Sequence, residues 1–285
     1  MELRLLRYFV VVGQELHFGR AAALLHISTP TLSRQIQHLE REIGAPLLVR
    51  NSRCVELTPA GAVLLDEGRR TLRAAADAVR ETRLAAGLAD PVLRLGLLNG
   101  VPESVPLGIE RLAEEHFPGC RIILTGGTTT EQLGLLARDD VDLALVRTPV
   151  RLPAGLRQAV VGTEPLGVLM AEGHPLAESA ELALTQLAGV EVILFPRDRA
   201  PDFYDVLLGH LGDIVVSESA TPHAQLRSAL LVRRDAVSLG SARAAQPGIA
   251  WRPLAGEPIV VTFAAVWRAA SRHPVLRAVV SHLQR

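Results

Sequence analysis

The sequence predicts an α+β multidomain chain, with an N-terminal winged helix-turn-helix, a long linker helix and a C-terminal two-lobed α/β domain. Three observations predict it. Residues 18–25 and 29–40 read as two short helices about a His26-Ile27-Ser28 turn, the second with a polar outer face. Residues 59–88 form one long stretch rich in Ala, Leu and Arg. Beyond Asp90-Pro91 strand-like and helical runs alternate. We divide the chain into 1–58, 59–89 and 90–285. The last part splits into one lobe of about 90–160 plus 266–285 and another of 161–265.

The first helix has Leu3, Leu6, Val10 and Gly13 along one face. In the third, Leu32, Ile36, Leu39 and Ile43 recur at steps of four, three and four, so that face must be buried. Pro30, Ser33, Arg34, Gln37 and Arg41 then point outward. Thr29-Pro30 fits an N-cap followed by proline at the first helical position. Two short strands, residues 47–50 and 55–58, flank an Asn51-Ser52-Arg53 turn. A hairpin directly after a helix-turn-helix is a wing, and Arg50 and Arg53 at its tip suit phosphate or minor-groove contact. A helix of this kind, with Thr29, Pro30, Thr31, Ser33, Arg34 and Gln37 at its exposed start and face, enters a DNA major groove.

Thr58-Pro59 is another cap-plus-proline start, here of the linker helix. Leu65, Leu72, Val79 and Ala86 recur every seven residues, with Gly61, Gly68 and Ala75 beside them. This seam suits close pairing with a second copy, because a helix of ~45 Å would otherwise expose it. Packing on its own domain is the alternative. Strands at residues 93–98, 121–124 and 142–146 alternate with helices at 106–117 and 131–137, which predicts a parallel βαβαβ sheet. A second set follows: strands at 166–170, 190–195, 214–217 and 236–239, with helices at 203–211 and 223–231. Residues 260–267 and 275–283 end the chain. The cleft between the lobes is the natural ligand site.

Composition narrows the classes. The 285 residues are 48% hydrophobic, enough for a full core. Formal net charge is zero, so a duplex would be held by placed arginines and not by a general positive field. All 30 basic residues are arginine, which favours bidentate contacts to guanine and phosphate. The two cysteines, Cys54 and Cys120, exclude a disulfide scaffold or a Cys-rich zinc site. The nine histidines form no metal motif, so no metal or other cofactor is expected. No signal peptide or membrane span is legible, which fits a reducing cytoplasm.

The N-terminal region resembles the LysR-type transcriptional regulators. The likeness runs through Leu5-Leu6-Arg7-Tyr8-Phe9, Phe18-Gly19-Arg20-Ala21-Ala22, Pro30-Thr31-Leu32-Ser33-Arg34-Gln35-Ile36, Pro46-Leu47-Leu48 and Leu57-Thr58-Pro59-Ala60-Gly61. It implies a winged-helix DNA reader, a long dimerising helix and a two-lobed inducer domain like a periplasmic binding protein. The implied partners are a partly palindromic duplex, a small effector, a second copy in a dimer or tetramer, and RNA polymerase. It places Pro30, Ser33 and Arg34 in the groove and Arg53 at the wing. Thr29 stands where many members have Gln, which puts base preference there in doubt.

Candidate effector residues lie at strand ends. Gly126-Gly127-Thr128-Thr129-Thr130-Glu131 follows a strand, and Thr128 with Glu131 fits a capping box. The same loop could receive a carboxylate through free N–H groups and the Thr128 and Thr129 hydroxyls. Asn99-Gly100 is a turn at a strand end, and the resemblance makes it a ligand contact. Pro201 and Phe203 resemble the family branch that senses benzoate, catechol and muconate-type compounds, where they would line the pocket opposite Thr128. A proline-rich loop with a core phenylalanine reads the same residues equally well. Arg197 or Arg199 could pair an acid ligand or simply face solvent. Arg233-Arg234-Asp235 replaces a glycine-rich turn usual in the family. The reading is a ligand-responsive transcriptional regulator under a carboxylate-type effector. The alternative is a stand-alone solute-binding protein or an enzyme on the two-lobed fold, against which stands the lack of a catalytic constellation.

Overall fold

The computed structural model describes residues 1–50, 55–87, 90–218 and 226–284, with Arg50 described by its backbone alone. The wing tip with Arg53, Cys54 and the side chain of Arg50 therefore lie outside the described residues, as do Leu88 and His223. The chain forms two compact units, Met1–Ala89 and Asp90–Arg285.

In the first unit three helices, α1 (Leu3–Glu15), α2 (Phe18–Leu24) and α3 (Thr29–Ile43), precede a hairpin of β1 (Leu48–Arg50) and β2 (Val55–Leu57) and the long α4 (Pro59–Ala85). Phe9, Leu32, Ile36 and Leu39 are fully enclosed, which is what the apolar periodicity demands. Leu3 and Ile43, at the two ends of that pattern, are exposed instead, because terminal turns overhang a three-helix core. The cap of α3 is Ser28, one residue before the expected Thr29: its hydroxyl accepts from the Thr31 amide at 3.3 Å. Thr29-Pro30 then occupies the first turn, where proline's missing N–H costs nothing. Thr58 caps α4 as its sequence indicates, accepting from the Gly61 amide at 2.9 Å.

The small residues of α4 serve this unit itself. A Cβ on Gly61 would sit 2.0 Å from the Leu47 carbonyl oxygen, and one on Gly68 would sit 2.9 Å from Leu6. Leu65 is buried and Leu72 packs on the same core. The first half of the expected pairing seam is thus an intramolecular contact, whereas Val79, farther along, is 60% exposed. Replacing Gly61 with alanine is expected to destabilise the first unit by about 2 kcal/mol, because a backbone oxygen cannot swing aside. Helix propensity alone would give the opposite sign. Gly108→Ala, where a Cβ meets nothing within 4 Å, should stabilise the second unit by about 0.5–1 kcal/mol. Calorimetry of the two transitions checks both.

The second unit holds two mixed five-stranded sheets. Its elements are β3 (Val92–Leu98), α5 (Ser104–His116), β4 (Arg121–Gly127), α6 (Thr129–Ala137), β5 (Leu143–Thr148), β6 (Leu156–Pro165), β7 (Gly167–Ala171), β8 (Glu191–Leu194), α7 (Pro201–Leu211), β9 (Val216–Glu218), α8 (Leu226–Val232), β10 (Ala236–Gly240), β11 (Ile249–Pro253), β12 (Val260–Arg268) and α9 (Pro274–Leu283). The strand orders are β4-β3-β5-β12-β6 and β11-β7-β10-β8-β9. Parallel pairing holds for β4-β3-β5 and for β10-β8-β9, but β12 runs antiparallel to both its neighbours and β7 to both of its own. The three strands of the βαβαβ unit, β3, β4 and β5, thus pair in parallel as their alternation with helices predicts, and the antiparallel β12 and β6 extend that sheet. The lobe boundaries move: β6 extends the first lobe to Pro165, and β12 returns to it from Val260, before residue 266.

Arg94, on β3, is clasped to Asp142, just before β5. The Asp142 carboxylate accepts from the Arg94 Nε at 3.0 Å and from the Arg94 amide at 2.9 Å. His273, the cap of α9, lies 4.0 Å from the same carboxylate. The chain after α8 turns at Arg233-Arg234-Asp235 with the Ala236 amide on the Arg233 carbonyl at 3.0 Å. None of these residues takes a positive φ, so the turn closes without the left-handed residue that glycine would supply.

Candidate effector cavity and DNA-reading surface

On α3, Thr29, Pro30, Arg34 and Gln37 are exposed, and Thr31 and Ser33 are partly exposed. Helical geometry puts Pro30, Arg34, Gln37 and Arg41 in one stripe opposite the buried Leu32, Ile36 and Leu39. Thr31 leaves that stripe, and its hydroxyl pairs with that of Ser28 at 2.8 Å. The wing base is tied to this helix. Glu40 Oε1 accepts from the Leu47 amide at 3.0 Å and the Leu48 amide at 3.2 Å. Thr58 Oγ1 donates to the Pro46 carbonyl at 2.8 Å. The base of the hairpin is therefore held against α3.

In the second unit, the carboxyl ends of the lobe strands enclose a cavity of about 110 Å³, a size suited to a single ring or a short chain. Asn99, Gly100, Thr128 and Phe203 line it, as the sequence suggests. Thr129 and Pro201 do not line it. Thr129 is 2% exposed and turns inward, where its hydroxyl accepts from the Arg147 amide at 3.1 Å. Pro201 starts α7, where proline belongs.

The capping box at Thr128 is complete. Thr128 Oγ1 accepts from the Glu131 amide at 3.3 Å, and the Thr128 amide donates to Glu131 Oε2 at 2.7 Å. That amide is thus occupied by the chain's own carboxylate, which corrects the expectation that it is free for a ligand. These bonds to Thr128 hold the Glu131 carboxyl below its usual pKa. Gln132, fully buried, ties the ends of β3 and β4 together by donating to the Leu97 and Thr125 carbonyls at 3.2 and 2.9 Å.

The residue that sequence reasoning missed is Arg147, at the end of β5. Its Nη2 donates to the Asn99 carbonyl at 2.8 Å, and its guanidinium lies 5.8 Å over the Phe195 ring. Phe195 is itself fixed by Phe203, stacked at 6.1 Å, and by Tyr204, edge-on at 5.7 Å. Among the described residues no carboxylate pairs with Arg147, and burial pulls its pKa down to about 10, so it stays charged at neutral pH. The available signal was its position: a charged residue at the carboxyl end of an apolar parallel strand, Leu143-Ala144-Leu145-Val146. Of the other arginines, Arg199 lines the cavity, whereas Arg197 is held bidentately by Asp205 at 2.8 and 2.7 Å. Glu164, also on the wall, is paired to Arg243.

Two cross-links join the lobes on the Arg199 side: Thr130 Oγ1 donates to the Asp198 carbonyl at 2.6 Å, and the Arg151 amide donates to Asp202 at 2.8 Å. Among the described residues no group of three or more His, Cys, Asp or Glu is arranged for a metal ion, and no helix is long and apolar enough to cross a membrane.

Comparison with known proteins agrees with both units. Residues 3–62 match the bacterial regulatory helix-turn-helix protein, lysR family, and residues 86–285 match the LysR substrate binding domain. The chain is 39% identical over 228 residues to the uncharacterized HTH-type transcriptional regulator YnfL of Escherichia coli (strain K12), covering 76% of this chain and 75% of the relative. It is 33% identical to the Hca operon transcriptional activator HcaR of the same organism, over 100% of this chain and 97% of that one. Among solved structures, full-length CbnR complexed with its target DNA aligns with a TM-score of 0.75 at 28% identity, over 100% of this chain and 99% of the other.

Proposed function

Because the chain belongs to the LysR family of DNA-binding transcriptional regulators, we propose that its second unit senses a small carboxylate with an apolar body, seated on Arg147. The protein is a regulator with a substrate-binding domain and not an enzyme, as the names of its relatives agree. One observation carries the effector reading: a charged guanidinium with no carboxylate partner among the described residues faces a cavity whose apolar wall is built from Phe195, Phe203, Phe263 and aliphatic side chains, while Glu164 on the same wall is taken up by Arg243. An anion supplies the missing counter-charge, and the rings accept a flat or short hydrocarbon. Thr128 adds a hydroxyl donor at the rim. The aromatic lining supports the branch that senses benzoate, catechol and muconate-type compounds.

A thermal-shift series on the full chain tests this. Benzoate or hexanoate should raise the melting temperature, while benzamide, with the same body and no charge, should not. Equal effects of benzoate and benzamide, or none from any acid in the series, would overturn the carboxylate reading.

We also propose that the protein works in the cytoplasm as a homo-oligomer on a partly palindromic operator, with RNA polymerase as a further partner. After Gly68 no residue of α4 is buried within the chain, so the outer half of the helix, with Val79, is the surface for a second copy. On the reader, Pro30, Ser33, Arg34 and Gln37 face the groove, with Thr29 and Thr31 at the helix start and Arg50 and Arg53 at the wing. Arg34→Ala is expected to weaken operator binding roughly tenfold and to make the salt slope shallower by about one. Fluorescence anisotropy at several salt concentrations reads both.

A further inference from the structure

A second cavity of about 150 Å³ opens beside the first, in the lobe that carries α8 and β11. Its polar lining is Arg227, Arg243, Ser241 and Gln246, over an apolar floor that includes Leu169 and Leu230. Two guanidiniums, an amide and a hydroxyl thus line it; Arg243 is paired to Glu164, which lines the first cavity and not this one, while Arg227 has no carboxylate on this wall among the described residues. Arg227 commits its Nε to the Pro247 carbonyl at 2.9 Å. Arg243 commits Nε and Nη2 to Glu164, and Nη2 also to the Gly100 carbonyl at 3.0 Å. Each arginine is held in place by these bonds while other N–H donors remain on its fork.

The two cavities share Gly100, Leu226, Ser241 and Ala244. Arg147 grips the Asn99 carbonyl from the first, and Arg243 grips the Gly100 carbonyl from the second. Consecutive Cα atoms are about 3.8 Å apart, so the two gripping nitrogens lie within about 11 Å of one another.

We propose that this second cavity is a seat for a compact oxyanion, a carboxylate or a phosphate-type group, bound by Arg227 and Arg243. The anion comes either from the far end of an effector whose first carboxylate sits on Arg147 or from a free inorganic ion. The bridging form rests on the effector reading above; the seat itself does not.

Calorimetric titration of the full chain at constant ionic strength separates the cases, with hexanoate, adipate and inorganic phosphate as probes. A bridging effector gives adipate at least tenfold tighter binding than hexanoate. A free anion gives saturable phosphate binding with no adipate advantage. In either case Arg227→Gln should bring the adipate-to-hexanoate ratio to about one or abolish phosphate binding, and Arg243→Gln should do the same. The seat is overturned if adipate and hexanoate bind alike and phosphate does not bind, or if a gain survives both substitutions. In that outcome hexanoate binding would still uphold the Arg147 reading. Saturable phosphate binding with no hexanoate binding would uphold the seat and overturn that reading.

Discussion

Arg147→Met is expected to abolish the carboxylate-induced rise in melting temperature and to weaken effector binding by about 3 kcal/mol, a loss of roughly a hundredfold or more. The magnitude follows from the setting. A charge-assisted hydrogen bond in a partly enclosed apolar cavity is not diluted by solvent as a surface pair is. Methionine keeps much of the side-chain length, so the Phe195 ring retains a neighbour while the charge is removed. Operator binding should survive, because Arg147 lies in the second unit and the side chains proposed to face the groove lie in the first. Isothermal titration with benzoate, alongside anisotropy on operator DNA, separates the two effects. Undiminished benzoate binding would show that the counter-ion lies elsewhere.

Asp142→Ala is expected to destabilise the second unit by about 3 kcal/mol, since it removes the counter-charge from the largely buried Arg94 guanidinium, which keeps its bond to the Asp139 carbonyl at 2.9 Å. The Asp142 side chain is only 4% exposed and that of Arg94 18%. Burial pushes the Asp142 carboxyl pKa up, but the hydrogen bonds and charge of Arg94, with help from His273, bring it below the usual carboxylate value. A pKa depressed in the folded state gives a stabilisation that is complete above the unfolded value and disappears as pH falls through the folded one. The wild-type protein should therefore lose this contribution below about pH 4. The variant, already without it, should show a shallower acid limb. Urea midpoints between pH 3 and 7 check the sign.

The legibility of these features in the sequence follows their physics. Helix α3 was readable because its apolar residues repeat at the helical period, and the polar stripe then follows from geometry. Ser28 and Thr29 are both good caps, and a proline fits either first-turn position, so local chemistry left the boundary open by one residue. Strand β6 escaped because Leu156–Pro165 lies at a sheet edge, and its polar and small residues leave no alternation to read. The antiparallel return of β12 is a matter of topology, which alternation of strands and helices does not encode. Arg147 is a single residue at a strand end; only the fold brings Phe195, from 48 positions on, beneath it. Gly61 and Gly68 were legible as close-approach sites, but the sequence did not say whether the partner was a neighbouring copy or the same chain.

The Glu40 clasp on the Leu47 and Leu48 amides has a consequence for how operator preference can change. A reading head whose hairpin base is already held against its helix spends little ordering entropy on docking. New half-sites can then be acquired by exchanging outward side chains one at a time, while the scaffold that aims them stays fixed.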